Sequence, residues 1–383
     1  MTAKVKGFCD DKFASVQVLL QEYLDNGEEH GASIAVNIGG KDVVDIWGGF
    51  TQKEGNAPWK QHTIVNVFSS SKTVISLAAL MLIDRGIISP FAKVSEYWPE
   101  FGTNGKENIE VRHILSHTSG VSGWDAAMTM EDVYDIPKAT ALLAEQQPWW
   151  EPGTAFGYQA ITMGHLIGEI VLRTTGKSLG TFIRDEIAIP LKADFQLGAL
   201  EMDWHRVAEI IPPPTDAPPI SDVGSFGKKA TTNPPIQAQI ANTPGWRLAE
   251  LGASNGHATA KGLARILSVV SLGGEVDGVR LLSPKTIDLI FREQILGRDL
   301  VFGDQTSFGM GFALTARGTI ADWLPEGRVC FWGGWGGSIV IADQTRGVTI
   351  AYTMNKMENA GLANYRTKKY VEAVYDAINA SGP

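Results

Sequence analysis

The sequence predicts an α/β (α+β) fold, in which both ends of the chain build an antiparallel sheet flanked by helices and a mostly helical domain is inserted between them. Strand-like alternation opens the chain and returns near its end, whereas the middle has the spacing of helices and loops. The strand-like segments are 32–38, 41–47, 308–314, 329–342 and 348–354. The length of 383 residues exceeds what one hydrophobic core usually serves and favours two lobes.

The first two strands are expected to form a hairpin, because Gly39 and Gly40 stand between them. Helices are expected where apolar residues recur three and four positions apart. These segments are 9–26, 69–85, 111–115, 140–146, 161–174, 259–270, 284–292 and 359–378. We therefore assign residues 1–80 and 245–383 to the sheet domain and residues 81–244 to the helical domain.

The helical domain ends in a proline-rich segment, residues 211–244. Its prolines are Pro212, Pro213, Pro214, Pro218, Pro219, Pro234, Pro235 and Pro244. Because proline fixes φ and lacks a backbone N–H, we expect a long loop without regular structure. We also expect this loop to border the cleft between the lobes, which is the default position for a ligand.

Charge and composition exclude several classes of function. The net charge is −9 with scattered Lys and Arg, so no basic face is available for a nucleic acid. The first residues lack an apolar signal-peptide core and no run of 18 apolar residues occurs, which predicts a cytosolic protein without a membrane partner. Cys9 and Cys330 form neither a disulfide framework nor a zinc pattern, so we expect reduced thiols and no metal or cofactor.

One candidate nucleophile lies in Gly252–Ala–Ser254–Asn–Gly256, which matches the G-x-S-x-G elbow of α/β-hydrolases. That fold needs a histidine well downstream of the serine, after an acidic residue. The last histidine here is His257, three residues later, and no strand-like run precedes Ser254. We therefore interpret 252–259 as the Gly/Asn-rich start of a helix.

A second candidate is the H-x-x-x-H pair His113 and His117, which could share a helical face and bind a metal. Ile114 stands where a zinc protease has glutamate, and the residues after the first histidine become turn-like. The sequence favours a hydrogen-bonded helix end over a metal site.

The third candidate is Ser69–Ser–Ser–Lys72, an S-x-x-K match at the start of an apolar helix. Residues three apart share a helical face, so Lys72 can lie beside the Ser69 hydroxyl near the positive end of the helix. In a dry cleft a lysine has a lowered pKa and can accept the serine proton. The alternative, a serine helix cap with a solvated lysine, predicts no further coordinated features.

Two further motifs follow in order. Pro152–Gly–Thr–Ala–Phe–Gly–Tyr158 places a tyrosine just before a helix, and Phe331–Trp–Gly–Gly–Trp–Gly–Gly–Ser338 embeds four glycines in a strand-like run. Glycine weakens a strand unless something must approach its backbone, and here we expect a substrate to do so.

Together these motifs resemble the serine β-lactamase and penicillin-recognising superfamily. The resemblance is strongest to its class C-like branch and to the family VIII carboxylesterases, and it implies a β-lactamase/transpeptidase-like fold. It also covers 111–120, 168–177 and 347–355. It implies that Ser69 is the acylated nucleophile and that Lys72 and Tyr158 transfer protons. The backbone N–H groups of Ser69 and Trp335 would form the oxyanion hole.

The departures from the β-lactamase pattern concern substrate recognition. Gln159 and Ala160 follow the tyrosine where those enzymes have Y-x-N, so the asparagine that binds the substrate amide is missing. Trp332 replaces the lysine of K-T-G, and a neutral indole cannot pair with a substrate carboxylate. The candidate substrate-binding residues are Trp332, Gly333, Gly334, Trp124, Trp149, Trp150 and Gln159.

The sequence therefore predicts a serine carboxylesterase acting on small, uncharged esters. An acyltransferase or transesterase of natural-product metabolism would use the same acyl-enzyme, and weak β-lactamase or amidase activity is a further alternative. A non-catalytic scaffold is also open, although the intact Ser69, Lys72 and Tyr158 argue against it. The sequence does not indicate the chain-length preference or the oligomeric state.

Overall fold

The structure is a computed structural model that describes residues 4–214, 224–359 and 362–380. Its strands are β1 (Lys6–Cys9), β2 (Gly31–Ile38), β3 (Lys41–Gly49), β4 (Val65–Asn66), β5 (Phe195–Leu197), β6 (Gly256–Ala258), β7 (Glu275–Val276), β8 (Val279–Arg280), β9 (Ile295–Arg298), β10 (Gln305–Phe308), β11 (Ala313–Leu314), β12 (Val329–Gly333), β13 (Ile339–Asp343) and β14 (Val348–Met354).

The α-helices are α1 (Ala14–Asp25), α2 (Ser71–Asp84), α3 (Val111–Leu115), α4 (Met130–Tyr134), α5 (Ile136–Glu145), α6 (Thr162–Thr175), α7 (Leu179–Ile183), α8 (Ile189–Leu191), α9 (Ser225–Thr232), α10 (Pro244–Leu248), α11 (Ala260–Ser271), α12 (Pro284–Ile290) and α13 (Tyr365–Asn379). Single turns of 3₁₀ helix occur at Asp11–Phe13, Val94–Glu96, Pro99–Phe101, Glu201–Arg206 and Ala238–Asn242, and a π-helical turn at Arg184–Ala188.

The main sheet joins both ends of the chain. Among the described residues, nine antiparallel strands pair in the order β1-β3-β2-β14-β13-β12-β11-β10-β9. The central strands β13 and β14 are buried along their whole length because helices cover the sheet. Helix α11 packs across β2, β13 and β14, and α1 packs on β3 and α13. The predicted fold class is confirmed.

Helix α2 lies between the sheet and the helical part of the chain. It contacts α6 and α7 on one side and α11, α12 and β12 on the other. Its residues 71–82 are all buried, as expected for a mostly apolar helix that other elements surround. The start of α2 is further fixed because β4, just before it, pairs with β6 in a small sheet with β5. This burial holds the first turn of α2 rigidly.

Several predicted elements have different bounds. The run 308–314 is divided into β10 and β11, and the run 329–342 into β12 and β13, because glycines with positive φ, Gly311 in the first and Gly336 and Gly337 in the second, form turns. The segment 252–259 leads into helix α11 at Ala260 as interpreted, and it also contains strand β6, which was not expected.

The prediction that 211–244 lacks regular structure was wrong in part. Helix α9 forms over a stretch without proline, and Pro244 takes the first position of α10, where its missing N–H has no partner to lose. Residues 215–223 of that prediction lie outside the described residues. In the part of the chain that the structure describes, no helix is both long and apolar enough to cross a bilayer.

Candidate active site

Ser69 lies at the sharp bend between β4 and α2. The bend is made by Phe68, whose φ of 44° is unusual for a residue with a side chain. Ser69 is half-buried, whereas Ser70 and Ser71 are fully buried. The Ser70 hydroxyl meets Ser338 Oγ at 3.0 Å, and Ser71 Oγ accepts the N–H of Gly256 at 2.8 Å. Ser69 is thus the serine of this trio that solvent can reach, and its two neighbours fasten the bend.

Lys72 reaches the Ser69 hydroxyl as the sequence predicts. Its Nζ lies 3.1 Å from Ser69 Oγ and donates to the carbonyl oxygens of Ala160 at 2.7 Å and Ala253 at 2.9 Å. The side chain is only 2% exposed. Burial lowers the pKa of the Lys72 amine well below its usual value, because the charged form is removed from water.

Tyr158 completes the cluster from the other side. Its phenolic oxygen accepts the indole N–H of Trp332 at 3.0 Å, and its ring lies 4.7 Å from Lys72 Nζ. Burial raises the pKa of Tyr158, while hydrogen bonding with Ser69 and Trp332 opposes that rise. Tyr158 is therefore a phenol, not a phenolate, at neutral pH. The structure brings Ser69, Lys72, Tyr158 and Trp332 together.

The glycine motif after Trp332 is a hairpin turn, which corrects its interpretation as a strand open to substrate. A Cβ on Gly334 would stand 2.1 Å from the Val67 carbonyl oxygen, and one on Gly333 would stand 2.4 Å from that of Leu362. The protein's own backbone, not a substrate, requires these glycines. Gly333 and Gly334 are buried against backbone, which contradicts their predicted role in substrate binding.

The same turn brings Trp335 next to the Ser69 bend. Ser338 Oγ donates to the Val67 carbonyl oxygen at 2.9 Å, and the Trp335 ring packs on the edge of Phe68 with 5.6 Å between centroids. Within the described part of the chain, the backbone N–H groups of Ser69 and Trp335 donate to no protein acceptor. Two free N–H groups beside a serine can bind a developing oxyanion.

Two tryptophans of the predicted rim lie near the surface, and their contact with a substrate stays a prediction. Trp149 and Trp150 are half-buried, and Phe226 of α9 packs on both, with ring centroids 5.8 Å and 5.4 Å away. Trp150 also covers Gly157, the residue before Tyr158. Sequence reasoning missed Phe226, since nothing in its local pattern distinguishes it from a loop residue.

Two other predicted substrate contacts lie in the core. Trp124 is 2% exposed, donates its indole N–H to the Ala139 carbonyl oxygen at 3.0 Å and packs on His165. Gln159 is 0% exposed, so its side chain is enclosed in the protein interior. Both side chains are buried away from solvent, which contradicts their predicted exposure to a substrate.

The histidine pair forms a helix end, as the sequence favours. His113 Nδ1 accepts the N–H of Glu110 at 3.1 Å, and His117 Nδ1 accepts the N–H of Gln159 at 3.1 Å. His117 packs against Tyr158 with ring centroids 4.9 Å apart, a neighbour that the sequence did not predict. No cluster of three or more His, Cys, Asp or Glu suited to a metal occurs among the described residues.

Comparison with known proteins agrees with this fold and site. The sequence model of the Beta-lactamase family matches residues 16–375. The esterase/beta-lactamase LipL of Mycobacterium tuberculosis (strain ATCC 25618 / H37Rv) is 32% identical over 371 residues, covering 92% of this chain and 83% of LipL. The chain therefore belongs to the Beta-lactamase family, which confirms the predicted resemblance.

Two solved structures are similar over almost the whole chain. A family VIII carboxylesterase superimposes with a TM-score of 0.91 at 35% identity, covering 97% of this chain and 99% of that one. A penicillin-binding protein homologue from Caulobacter crescentus superimposes with a TM-score of 0.92 at 34% identity and the same coverage.

Proposed function

We propose that this chain is a serine carboxylesterase that hydrolyses uncharged carboxylic esters through an acyl-enzyme on Ser69. It is a serine hydrolase of the Beta-lactamase family, and its relatives include proteins named as an esterase/beta-lactamase and a family VIII carboxylesterase. Within the site, the main support for this proposal is the environment of Lys72 Nζ, which has two carbonyl oxygens and one hydroxyl as partners.

That environment suits a neutral amine acting as a base. A carbonyl oxygen can only accept, so the carbonyls of Ala160 and Ala253 engage the two N–H bonds of a neutral amine. The remaining lone pair then points at the Ser69 hydroxyl, which is able to donate. The lowered pKa of Lys72 favours this neutral form.

In acylation, Ser69 Oγ attacks the ester carbonyl while Lys72 takes its proton. The N–H groups of Ser69 and Trp335 stabilise the tetrahedral oxyanion, and loss of one such donor in an enzyme lowers kcat by about 10² to 10³. Tyr158, a phenol adjacent to Ser69, donates a proton to the departing alcohol oxygen, and Lys72 restores the phenol proton. In deacylation a water molecule takes the place of the alcohol and the same groups work in reverse.

The specificity for uncharged esters is supported by the side chains around the nucleophile. Trp332 occupies the position where the β-lactamase pattern has a cation, and it is used to hold the Tyr158 hydroxyl. Trp149, Trp150 and Phe226 offer an apolar surface near the Tyr158 segment. We expect penicillins, which carry a carboxylate, to be poor substrates, with slow nitrocefin turnover as the measure.

A cytosolic location is a further part of the proposal. Cys9 and Cys330 are both unpaired thiols, which suits a reducing compartment. Cell fractionation followed by activity measurement tests it, and activity confined to a secreted fraction would contradict it.

The test of the function is a panel of p-nitrophenyl esters from acetate to laurate, measured on the wild type and on Ser69→Ala. We expect turnover by the wild type and a loss of at least about 10³-fold in the variant, as when other serine nucleophiles are removed. Full activity in Ser69→Ala would overturn the proposal. Adding a competing alcohol to the same assay separates hydrolysis from acyl transfer, because transfer yields a new ester.

A further inference from the structure

Tyr158 lies in a segment with no regular secondary structure of its own. Residues 155–159 belong to no helix or strand, and α6 begins only at Thr162. The N–H groups of Gly157 and Gln159 both bind His117, through its carbonyl oxygen at 3.0 Å and its Nδ1 at 3.1 Å. The N–H of Tyr158, which lies between them in sequence, has a different acceptor.

That acceptor is a carboxylate from a distant part of the chain. Asp299 Oδ1 accepts the Tyr158 N–H at 3.0 Å and the N–H of Val301 at 2.8 Å, and the N–H of Phe302 also binds this carboxylate. Asp299 is the first residue of the loop 299–304 between β9 and β10. Its side chain is buried, and burial raises its pKa to about 6, so it is ionised at neutral pH.

The rest of this loop also attaches to the Tyr158 segment. The Leu300 N–H donates to the Phe156 carbonyl oxygen at 2.9 Å, and the Phe302 ring packs on the Tyr158 ring with 5.6 Å between centroids. The loop is closed by the Asp299 N–H, which donates to the Asp304 carbonyl oxygen at 2.8 Å. Loop 299–304 and Trp332 thus hold the tyrosine at its backbone and at its hydroxyl.

We propose that Asp299 is a positioning residue for Tyr158, and that its carboxylate fixes the tyrosine backbone so that the phenol stays between Trp332 and Ser69. This inference rests on the proposed function, in which Tyr158 protonates the leaving alcohol. Asp299 itself does not contact the reacting atoms. Its loss lets the segment 155–159 shift, and a displacement of about 1 Å in a catalytic group can lower the rate about 10²-fold.

The test uses two esters with the same acyl group and different leaving groups. Ethyl butyrate releases an alkoxide that needs a proton, whereas p-nitrophenyl butyrate releases a stable phenolate that does not. The quantity to compare is kcat/KM, because it reports acylation and excludes the shared deacylation step. Asp299→Ala should lower kcat/KM by about 10- to 100-fold for ethyl butyrate and by less than about threefold for p-nitrophenyl butyrate.

Asp299→Asn keeps an acceptor oxygen in the same place and should remain within about fivefold of the wild type on both esters. Asp304→Asn is the matched control, since this exposed acid of the same loop accepts the Asp299 N–H only through its backbone carbonyl and should keep wild-type rates. An equal fall on both esters in Asp299→Ala, or no fall, would overturn the inference.

If Asp299→Ala does not fold, the inference is tested with Asp299→Ser, whose shorter side chain withdraws the acceptor from the Tyr158 N–H, in the wild-type and Tyr158→Phe backgrounds. It should lower kcat/KM for ethyl butyrate by about 10-fold in the wild-type background and should have no effect in Tyr158→Phe; no fall in the first background, or an equal fall in the second, overturns the inference. The proposed function fails separately, if the wild type turns over neither ester or if Ser69→Ala retains activity.

Discussion

Two serines of this chain stand in short motifs that indicate a nucleophile, and their surroundings differ. Ser69 is half-buried, with Lys72 Nζ 3.1 Å from its hydroxyl. Ser254 is 4% exposed, and its hydroxyl makes one long contact of 3.5 Å with the Ala160 carbonyl oxygen. The histidine near it, His257, is buried in β6, and its Nδ1 binds the Asn255 carbonyl oxygen at 2.8 Å.

The difference teaches that a nucleophile is defined by a base and by access to substrate, not by its local motif. Burial lowers the pKa of His257 to about 4, but its contacts turn it away from Ser254. The Ser254 segment still supports the site, because the carbonyl of Ala253 is a partner of Lys72. In the proposed mechanism one serine motif therefore provides the nucleophile, and the other holds the lysine that acts as its base.

The largest expected effect comes from removing the base that distinguishes Ser69. Lys72→Met keeps the length of the side chain and should lower kcat/KM by about 10³-fold, within the range of general-base contributions. The fold should be retained, because a methionine has no charge to desolvate. Ester turnover and the thermal unfolding midpoint measure the two effects.

Lys106→Met is the matched control. Lys106 is another buried lysine, and its Nζ donates to the carbonyl oxygens of Thr103, at 2.9 Å, and Gln146. Its replacement should leave kcat/KM nearly unchanged. Equal losses of activity in the two variants would show that Lys72 acts only through packing.

The pH dependence tests the same comparison, since the proposed mechanism requires a neutral Lys72. Because burial lowers the pKa of Lys72, activity should rise with pH and reach a plateau well below pH 10.5, the usual lysine value. Because the pKa of Tyr158 is raised, no loss from phenolate formation should occur up to pH 10.0. A rate that keeps rising through pH 10.5 contradicts the neutral-amine mechanism.

Trp332→Phe tests the contact that orients the Tyr158 hydroxyl. It deletes the indole N–H 3.0 Å from that oxygen, and one neutral hydrogen bond of about 1 kcal/mol corresponds to about a fivefold fall in kcat/KM. Trp124→Phe, which deletes a core indole, is the control and should keep the wild-type rate. A larger fall in the control than in Trp332→Phe would mean that packing dominates.

Phe226→Ala tests whether the apolar surface beside the Tyr158 segment contacts the substrate. Loss of the ring that packs on Trp149 and Trp150 should change the kcat/KM ratio of p-nitrophenyl laurate to acetate by about three- to fivefold, because apolar contact with the longer chain changes. Phe91→Ala, at an exposed phenylalanine, is the control. An unchanged ratio would show that helix α9 does not contact the substrate.

The smallest effect is expected at the second serine. Ser254→Ala should stay within about twofold of the wild type, since it removes one weak hydrogen bond and leaves the Ala253 carbonyl in place. A loss comparable to that of Ser69→Ala would reverse the comparison and make Ser254 the nucleophile.

The sequence predicted the elements with clear periodicity and the residues with family motifs. Helix α3 has the predicted bounds, and the three residues Ser69, Lys72 and Tyr158 meet as expected. These successes rest on local spacing in α2 and on the position of a tyrosine just before a helix.

The errors concern contacts between distant parts of the chain. Local pattern could not reveal that the backbone of Val67 requires Gly334, nor that Trp124 faces His165 in the core. Asp299 was missed for the same reason, because it lies 141 residues from the tyrosine whose N–H it accepts. A glycine or tryptophan in a motif indicates a constraint without indicating which group imposes it.

The central claim, that Ser69 is acylated, is tested most directly by covalent labelling. The wild type is treated with a fluorophosphonate probe, and the modified peptide is identified by mass spectrometry. We predict one adduct on Ser69, no adduct in Ser69→Ala, and normal labelling in Ser254→Ala. An adduct on Ser254, or labelling that survives in Ser69→Ala, would contradict the account.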